Sequence, residues 1–284
     1  MKEFSGRIAV VTGGGSGMGR ELVRQLAAEG CSVAACDLRR EGSLSETLEL
    51  ATAGAAGGTH ISTHICDVSD EAAVLRFRDE VLATHQTDHV DLVFANAAIG
   101  GGGSFVNDPS EQWERVFAVN WWGVYYTARA FLPLLIAGPE GVLVNTSSVN
   151  GFWATLGPAW PHTAYSTAKF AVKGFTESLI EDLRTNAPHV RAVLVMPGYI
   201  ATNIVGNSMR AFGVTDTAEI EKANAGWREG APTTAAEAAT IILDGVRSGE
   251  WRILVGEDAK RLDEFVRANP ASTYDHAERA NNGG

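Results

Sequence analysis

The chain has 284 residues, enough for one large domain or two small ones, and 45% of them are hydrophobic and 20% charged, which excludes a disordered or fibrous protein. Lys and Arg number 23 against 34 Asp and Glu, and the resulting net charge of −11 disfavours nucleic acid as a partner. No apolar run approaches the roughly 20 residues that a membrane-spanning helix needs, so we expect no membrane span.

The first six residues carry Lys2 and Glu3 and no separate apolar stretch, so a secretory leader is not indicated and we expect a cytoplasmic protein. Short apolar runs then alternate with amphipathic stretches. We predict strands at residues 8–11, 32–36, 60–65, 90–95, 141–145, 191–196 and 252–255. We predict helices at residues 18–29, 43–58, 71–84, 111–135, 163–186 and 234–247.

The predicted strands are uniformly apolar and rich in β-branched residues, which is typical of strands buried on both faces. The pattern predicts an α/β fold: one domain over residues 1–268, with a doubly wound, Rossmann-type parallel sheet of about seven strands and helices on both faces. Two stretches depart from it. Residues 198–232 are long and irregular, as expected of a lid over a substrate, and residues 269–284 are polar, as expected of a flexible tail.

A glycine-rich segment, TGGGSGMG at residues 12–19, lies between the first strand and the first helix. Glycines there allow a tight turn, and the helix N-terminus offers free N–H groups to a pyrophosphate. The position predicts a dinucleotide site, to which the segment contributes Gly13, Gly15, Ser16, Gly17, Met18 and Gly19.

Asp37 ends the second strand, 18 positions after Gly19, where an acidic residue can accept hydrogen bonds from the adenosine ribose and repel a 2′-phosphate. We therefore expect NAD as the cofactor. NADP remains an alternative, because Arg39 and Arg40 come just after Asp37 in the sequence and can pair with a 2′-phosphate. Asp67 and Val68, after the third strand, are candidates to bracket the adenine ring, and Asp67 is also a candidate helix cap before residue 71.

Tyr165 and Lys169 are four residues apart at the start of a predicted helix, so they share one face. An unperturbed phenol titrates near pH 10, and a nearby ammonium together with a positive nicotinamide would lower the pKa of Tyr165 toward the working range. Ser148 follows the fifth strand and Asn120 lies in the long preceding helix. These four side chains are expected to meet beyond the C-terminal ends of the strands.

Several motifs in this order resemble the short-chain dehydrogenase/reductase family: TGGGSGMG, ANAA at residues 95–98, Asn120, the Ser147–Ser148 pair, YSTAK at residues 165–169 and MPGYIAT at residues 196–202. The resemblance implies that Tyr165 is the catalytic acid/base and that Ser148 holds the substrate oxygen. It further implies that Lys169 lowers the Tyr165 pKa and binds the nicotinamide ribose, and that Asn120 supports a water relay. Ser147 is then structural. For the cofactor it implies further contacts from Asn96, Ala97, Pro197, Gly198, Ile200 and Thr202, with Thr202 and the Ile200 backbone at the carboxamide, besides Tyr165 and Lys169.

Ser148 and Tyr165 are 17 positions apart, about four more than the family usually shows, and the intervening loop is aromatic. These rings either line a substrate pocket or pack the loop against the rest of the domain. The candidate pocket residues are Asn150, Phe152, Trp153, Trp160, Tyr199 and Val205. With an apolar lid, they favour a bulky apolar secondary alcohol or ketone as substrate, a preference that also resembles some bacterial alcohol dehydrogenases of the family. A steroid-type or cyclic alcohol fits the same pocket.

One alternative from another functional class is a catalytically idle member that binds a dinucleotide as a regulatory module. The four polar residues argue against it, since such a module needs only the cofactor contacts. By resemblance we expect a homodimer or homotetramer formed through the helices at residues 111–135 and 163–186. We expect no metal site, since His60 and His64 alternate as in a strand and would lie about 13 Å apart.

Overall fold

The structure is a computed structural model that describes residues 1–155 and 161–275. Its strands within these residues are β1 (Ile8–Thr12), β2 (Ser32–Asp37), β3 (Ile61–Ile65), β4 (Leu92–Ala95), β5 (Gly141–Thr146), β6 (Val190–Pro197), β7 (Ile200–Ala201), β8 (Thr233–Thr234) and β9 (Arg252–Val255). Seven of them form one parallel sheet in the order β3-β2-β1-β4-β5-β6-β9, and β7 and β8 pair separately. The predicted fold class is confirmed.

Helices cover both faces of the sheet. They are α1 (Gly17–Ala28), α2 (Ser45–Gly54), α3 (Glu71–His85), α4 (Ser110–Phe117), α5 (Gly123–Ala137), α6 (Thr163–Asn186), α7 (Ile204–Ala211), α8 (Thr217–Gly230), α9 (Ala235–Ser248) and α10 (Glu257–Ala268). A non-helical kink at Glu41 and Gly42 lies before α2, a short π-helical segment occupies Ala118–Trp122, and a 3-10 turn occupies Val149–Gly151.

The central strand β1 shows why the chain folds this way. Its residues are buried on both faces: Val11 belongs to a core shared with Leu22 of α1, while Val10 belongs to the opposite core with Phe77 of α3 and Phe131 of α5. Burial of both faces accounts for the continuous apolar strand sequences, because an alternating strand would place polar side chains under one helical layer.

The strand order reverses between β1 and β4: β2 and β3 are added on one side of β1, and β4 and the later strands on the other. Thr12 joins the two strand ends: its hydroxyl accepts hydrogen bonds from the backbone N–H of Asn96 at 3.0 Å and of Ala97 at 3.1 Å. In open parallel sheets, ligands bind in the crevice at such a reversal. This places the candidate site at the C-terminal ends of β1 and β4.

The predicted single helix over residues 111–135 is interrupted at Ala118–Trp122. The Asn120 side-chain amide donates to the carbonyl of Val116, one helical turn earlier, at 2.8 Å, and to the carbonyl of Ile99 at 2.8 Å. A side chain that binds a carbonyl of its own helix competes with the backbone ladder, and such interruptions are common at functional sites.

The lid predicted at residues 198–232 is regular rather than irregular, since α7 and α8 fill most of it. Both of its ends are fixed, because Ile200 pairs with Thr233 and Ala201 with Thr234. In the part of the chain that the structure describes, no helix is both long and apolar enough to cross a membrane.

The tail begins later than predicted. Thr273 is buried, and the Tyr274 hydroxyl accepts a hydrogen bond from the backbone N–H of Ala154 at 3.2 Å. Residues 269–275 therefore pack against the domain, because an aromatic ring and a hydroxyl together provide apolar contact and a hydrogen bond. The remainder of the predicted tail, residues 276–284, lies outside the described residues.

Candidate active site

A cavity of about 270 Å³ opens at the C-terminal ends of the first four strands. Its walls come from the glycine-rich segment, the ends of β2, β3 and β4, and helix α7 of the lid. Most residues predicted to bind the cofactor line it: Gly13, Ser16, Gly17, Met18, Gly19, Asp37, Asp67, Val68, Asn96, Ala97 and Thr202.

The glycine-rich segment turns tightly into α1. Gly13 and Gly17 have φ of +67° and +53°, a region that favours glycine. A Cβ on Gly19 would collide with the Gly13 carbonyl oxygen. Ser16 precedes the helix without capping it through its side chain, so the first N–H groups of α1 remain available to an anion.

Asp37 is held by two backbone groups, accepting hydrogen bonds from the N–H of Gly15 at 3.1 Å and of Leu38 at 2.7 Å. Burial raises the pKa of this carboxyl. Gly15 itself does not line the cavity, and a Cβ there would collide with the Ser43 hydroxyl. Gly15 thus acts by positioning Asp37, not by direct contact with a ligand in the cavity as we expected.

Asp67 is tied down by several partners. It accepts hydrogen bonds from the Ser69 hydroxyl at 2.6 Å and from Arg115 at 3.1 Å. Hydrogen bonds from Ser69 and the charge of Arg115 lower the pKa of Asp67, despite its partial burial. The helix-capping role considered for it belongs to Asp70, whose carboxylate accepts from the N–H of Ala72 at 3.0 Å.

Three other predicted cofactor residues lie outside the cavity wall. Pro197 pairs with Val255 in the sheet, and the N–H of Gly198 donates to the Val255 carbonyl at 2.9 Å. The Ile200 carbonyl accepts a hydrogen bond from the Trp227 indole at 2.9 Å. The Gly198 N–H and the Ile200 carbonyl therefore already have partners within the fold, and Thr202 is the predicted cofactor residue of this segment that lines the cavity.

Ser148, Tyr165 and Lys169 come together at the end of β5 and the start of α6. The Ser148 hydroxyl accepts a hydrogen bond from the Asn150 N–H at 3.1 Å and lies near enough to the Tyr165 phenol to act on its pKa. The Lys169 ammonium lies 5.4 Å from the centre of the Tyr165 ring and donates to the Thr146 carbonyl at 2.9 Å. The predicted convergence of these three side chains is seen.

The pKa values of Tyr165 and Lys169 in the chain by itself differ from those expected when a nicotinamide is bound. Burial raises the pKa of Tyr165 to about 12, although the Ser148 hydrogen bond acts to lower it. Burial lowers the pKa of Lys169 to about 7. In the chain by itself the lysine therefore does not make the phenol acidic, and a further positive charge is needed beside it.

Asn120 is fully buried close by, on the interrupted helix. Its amide nitrogen is bound to two carbonyls, but its oxygen has no partner within the described residues. The Asn96 oxygen is likewise buried without one. Buried polar atoms are nearly always satisfied, so each oxygen is a candidate acceptor for water or ligand. Ser147, in contrast, donates to the Lys169 carbonyl at 2.7 Å, which is a structural contact.

Helix α7 packs against the loop after β4. The N–H of Gly100 donates to the Ser208 hydroxyl of α7 at 2.7 Å, and Ala211 and Phe212 belong to the same hydrophobic cluster as Tyr165. The cavity reaches Ile99 and Val119, next to Asn120, whereas Ser148, Tyr165 and Lys169 do not line it. Tyr165 itself is half-buried.

Several of the predicted substrate-pocket residues have packing or hydrogen-bond partners within the fold. Trp153 is only 1% exposed and contacts the rings of Phe265 and Tyr274, as expected of a ring that packs the loop against the domain. The Asn150 amide donates to the Trp153 carbonyl at 2.8 Å. The Tyr199 hydroxyl donates to the Trp227 carbonyl at 2.7 Å.

Of the other two rings, Phe152 is buried beneath the Arg252 guanidinium, 5.6 Å from its ring centre. Trp160 lies outside the described residues. Val205 is partly buried at the start of α7 but does not line the cavity. The extra length of the loop thus serves in good part to attach it to α10 and the residues after it.

Sequence reasoning missed the contribution of α7 to the cavity. Ile204, Asn207 and Arg210 of this helix line it, as do Arg39 and Arg115. The only sequence signal was an Arg among apolar residues within a stretch expected to be irregular. Among residues 1–155 and 161–275, no group of three or more His, Cys, Asp or Glu is placed to hold a metal ion.

Comparison with known proteins supports the sequence motifs. A family model described as short chain dehydrogenase matches residues 7–211. A protein of Mycobacterium tuberculosis named SadH is 35% identical over 267 residues, which is 94% of this chain and 92% of its own length. Epidermal retinol dehydrogenase 2 of Homo sapiens is 34% identical over 204 residues, 72% of this chain and 63% of its own.

Solved structures agree with this result. A short-chain dehydrogenase/reductase from Burkholderia phymatum, in complex with NAD, has a TM-score of 0.81 and 28% identity over 95% of this chain and 96% of its own. Levodione reductase has a TM-score of 0.72 and 27% identity over 92% of this chain and 99% of its own. The chain therefore belongs to the short-chain dehydrogenase family.

Proposed function

We propose that this protein is an NAD(P)-dependent oxidoreductase that interconverts an apolar, bulky secondary alcohol and the corresponding ketone. The observation that carries the proposal is the convergence of the Ser148 and Tyr165 hydroxyls beside the buried ammonium of Lys169. Two hydroxyls aimed at one point can hold a carbonyl or alcohol oxygen and stabilise the charge that develops on it.

The chain's own residues fit a dinucleotide. The open N-terminus of α1, the partnerless oxygen of Asn96 and the fixed carboxylate of Asp37 all face one cavity. Asp37 favours NAD, since a carboxylate accepts ribose hydroxyls and repels a 2′-phosphate. The relative from Burkholderia phymatum, solved in complex with NAD, supports this assignment. NADP is the alternative.

A nicotinamide cofactor would supply hydride transfer and, in its oxidised form, a positive charge. A positive charge beside the phenol would lower the pKa of Tyr165, which burial raises to about 12. Tyr165 then takes the alcohol proton in oxidation and returns it in reduction, while Ser148 holds the oxygen. The Asn120 oxygen has no partner among the described residues, and we assign it as the acceptor for a water that connects the buried lysine to solvent.

The lid supports an apolar substrate. Ala211 of helix α7 and the adjoining Phe212 belong to the same hydrophobic cluster as Tyr165, so the surroundings of the phenol on this side are apolar. Two relatives are named for the alcohol retinol and for levodione reduction, which favours an alcohol or ketone. A steroid-type or cyclic alcohol remains the second candidate, since the same apolar surface accepts fused rings.

Turnover measurements test the proposal directly. NADH and NADPH are each incubated with a panel of aryl, alicyclic and steroid ketones, and oxidation of the cofactor is followed by absorbance. We expect turnover with at least one bulky ketone and a preference for NADH. Dinucleotide binding without turnover on any member of the panel would instead support the idle regulatory module.

We also propose that the protein is a homodimer or homotetramer. An aromatic cluster on α5 and the preceding residues contains Trp121, Trp122 and Tyr125, and it contacts Phe175 of α6. Trp122 is 40% exposed and Phe170 of α6 is 42% exposed. Exposed aromatic rings on two adjacent helices favour burial against a second copy. Sedimentation of the wild type and of Trp122→Glu tests this, and equal masses at the monomer value would refute it.

A further inference from the structure

Two arginines in the cavity wall lie next to each other without an acidic partner. Arg39 follows β2, and Arg210 lies on lid helix α7. Their guanidinium nitrogens are 3.5 and 3.4 Å from one atom, the side-chain oxygen of Asn207. Among the described residues, neither arginine forms an ion pair, whereas Arg20, Arg115 and many others do.

This arrangement leaves both guanidinium groups short of acceptors. The two like charges share one neutral oxygen in the cavity wall, and the carboxylates that act on them, Asp37 on Arg39 and Glu221 on Arg210, form no ion pair with them among the described residues. Burial and the charge of Arg39 lower the pKa of Arg210, while Glu221 acts to raise it. A bound anion would remove the repulsion and supply the missing acceptors.

The same amide connects the pair to the glycine-rich segment. The nitrogen of Asn207 donates to the Ser16 hydroxyl at 3.0 Å, directly before the open N-terminus of α1. Ser16, Arg39, Asn207 and Arg210 all line one cavity. An anion between the arginines would therefore also lie near a helix terminus that favours negative charge.

We propose that Arg39, Asn207 and Arg210 form a phosphate-binding clamp in which the lid holds a phosphate group of the dinucleotide. The inference rests on the proposed function for the presence of a dinucleotide, and it adds a specific role for α7. Arginines bind phosphate through pairs of parallel hydrogen bonds, which lysines cannot do. The phosphate is either the bridging pyrophosphate or the 2′-phosphate of NADP, since both carry the same chemistry.

Substitution of the clamp tests the proposal. Dissociation constants of NADH and NADPH are measured by titration with Arg210→Gln, with Asn207→Asp and with Arg261→Gln as the control. Arg261 is exposed on α10 and does not line the cavity. We expect Arg210→Gln to weaken binding about tenfold, the value of one charge-assisted hydrogen bond. Arg261→Gln should leave binding unchanged.

Asn207→Asp is the sharper variant because it keeps the shape of the side chain and adds the missing carboxylate. We expect it to pair with both arginines, raise the melting temperature of the protein without ligand, and weaken dinucleotide binding by more than tenfold. A purely structural role for Asn207 predicts the opposite, a lower melting temperature with unchanged affinity.

The two cofactors identify the phosphate. An equal loss for NADH and NADPH assigns the clamp to the pyrophosphate, and a loss confined to NADPH assigns it to the 2′-phosphate. If the wild type binds a dinucleotide and both clamp variants retain its affinity, the clamp is refuted while the proposed function stands. If the wild type binds neither cofactor, both proposals fail together.

Discussion

The two halves of the site are built by different means. The cofactor half is formed mainly by backbone: tight glycine turns, a helix terminus and the ends of parallel strands. The substrate half is formed by side chains that pack against one another, such as Phe212 against the Gly101 backbone and Trp153 against Phe265. Backbone features leave a short motif in the sequence, whereas packing depends on residues far apart along the chain. The following substitutions test this difference.

The largest effect is expected from Tyr165→Phe. It removes only the hydroxyl that moves the proton. Turnover should therefore fall by about a thousandfold to ten-thousandfold, as for loss of a general acid/base. Dinucleotide affinity should remain close to that of the wild type. Tyr126→Phe, on the exposed aromatic cluster, is the control. Near-normal turnover in Tyr165→Phe would remove the catalytic assignment.

Trp153→Ala tests whether the aromatic loop serves packing. The ring is 1% exposed, so its loss should lower the free energy of unfolding by about 3–5 kcal/mol, measured by denaturant titration. Trp251→Ala, at a 47% exposed ring, should change it by less than about 0.5 kcal/mol. A large rise in KM for a bulky ketone, with stability unchanged, would return Trp153 to the substrate pocket.

A pair of glycine substitutions compares the backbone of the two halves. A Cβ on Gly19 would collide with the Gly13 carbonyl, so Gly19→Ala should weaken dinucleotide binding by about a hundredfold or more through displacement of the turn. Gly226 in lid helix α8 faces open space, and Gly226→Ala should stabilise the protein by up to about 1 kcal/mol. Calorimetric titration and thermal unfolding measure the two effects. Unchanged affinity in Gly19→Ala would show that the turn tolerates displacement.

The last prediction concerns a slope, the change of stability with pH. The pKa of Lys169 is lowered to about 7 in the fold, from 10.5 in the unfolded chain, so the unfolded state binds more protons between these values. The stability of the protein without cofactor should therefore rise with pH through that window, by at most about 1.4 kcal/mol per pH unit. Lys169→Met should flatten this rise. Equal slopes in the two proteins would show that the lysine is not desolvated.

Much of the fold was predictable, because strands buried on both faces carry an unambiguous apolar signature. The break in the helix at Asn120 was not, since its cause is a hydrogen bond to Ile99, twenty-one positions away. The lid helices were missed because their apolar faces are short. Tyr165 and Lys169 were found through their spacing on one helix, but Arg210 has a role only once α7 lies over Ser16.

The paired residues at the base of the lid have a consequence for how this segment can vary. Strands β7 and β8 pair with each other and not with the central sheet, so they hold the two ends of the segment together whatever the length between them. Insertions between α7 and α8 should therefore leave the register of the seven-stranded sheet unchanged, whereas changes at Asn207 or Ser208 would disturb the contacts with Ser16 and Gly100.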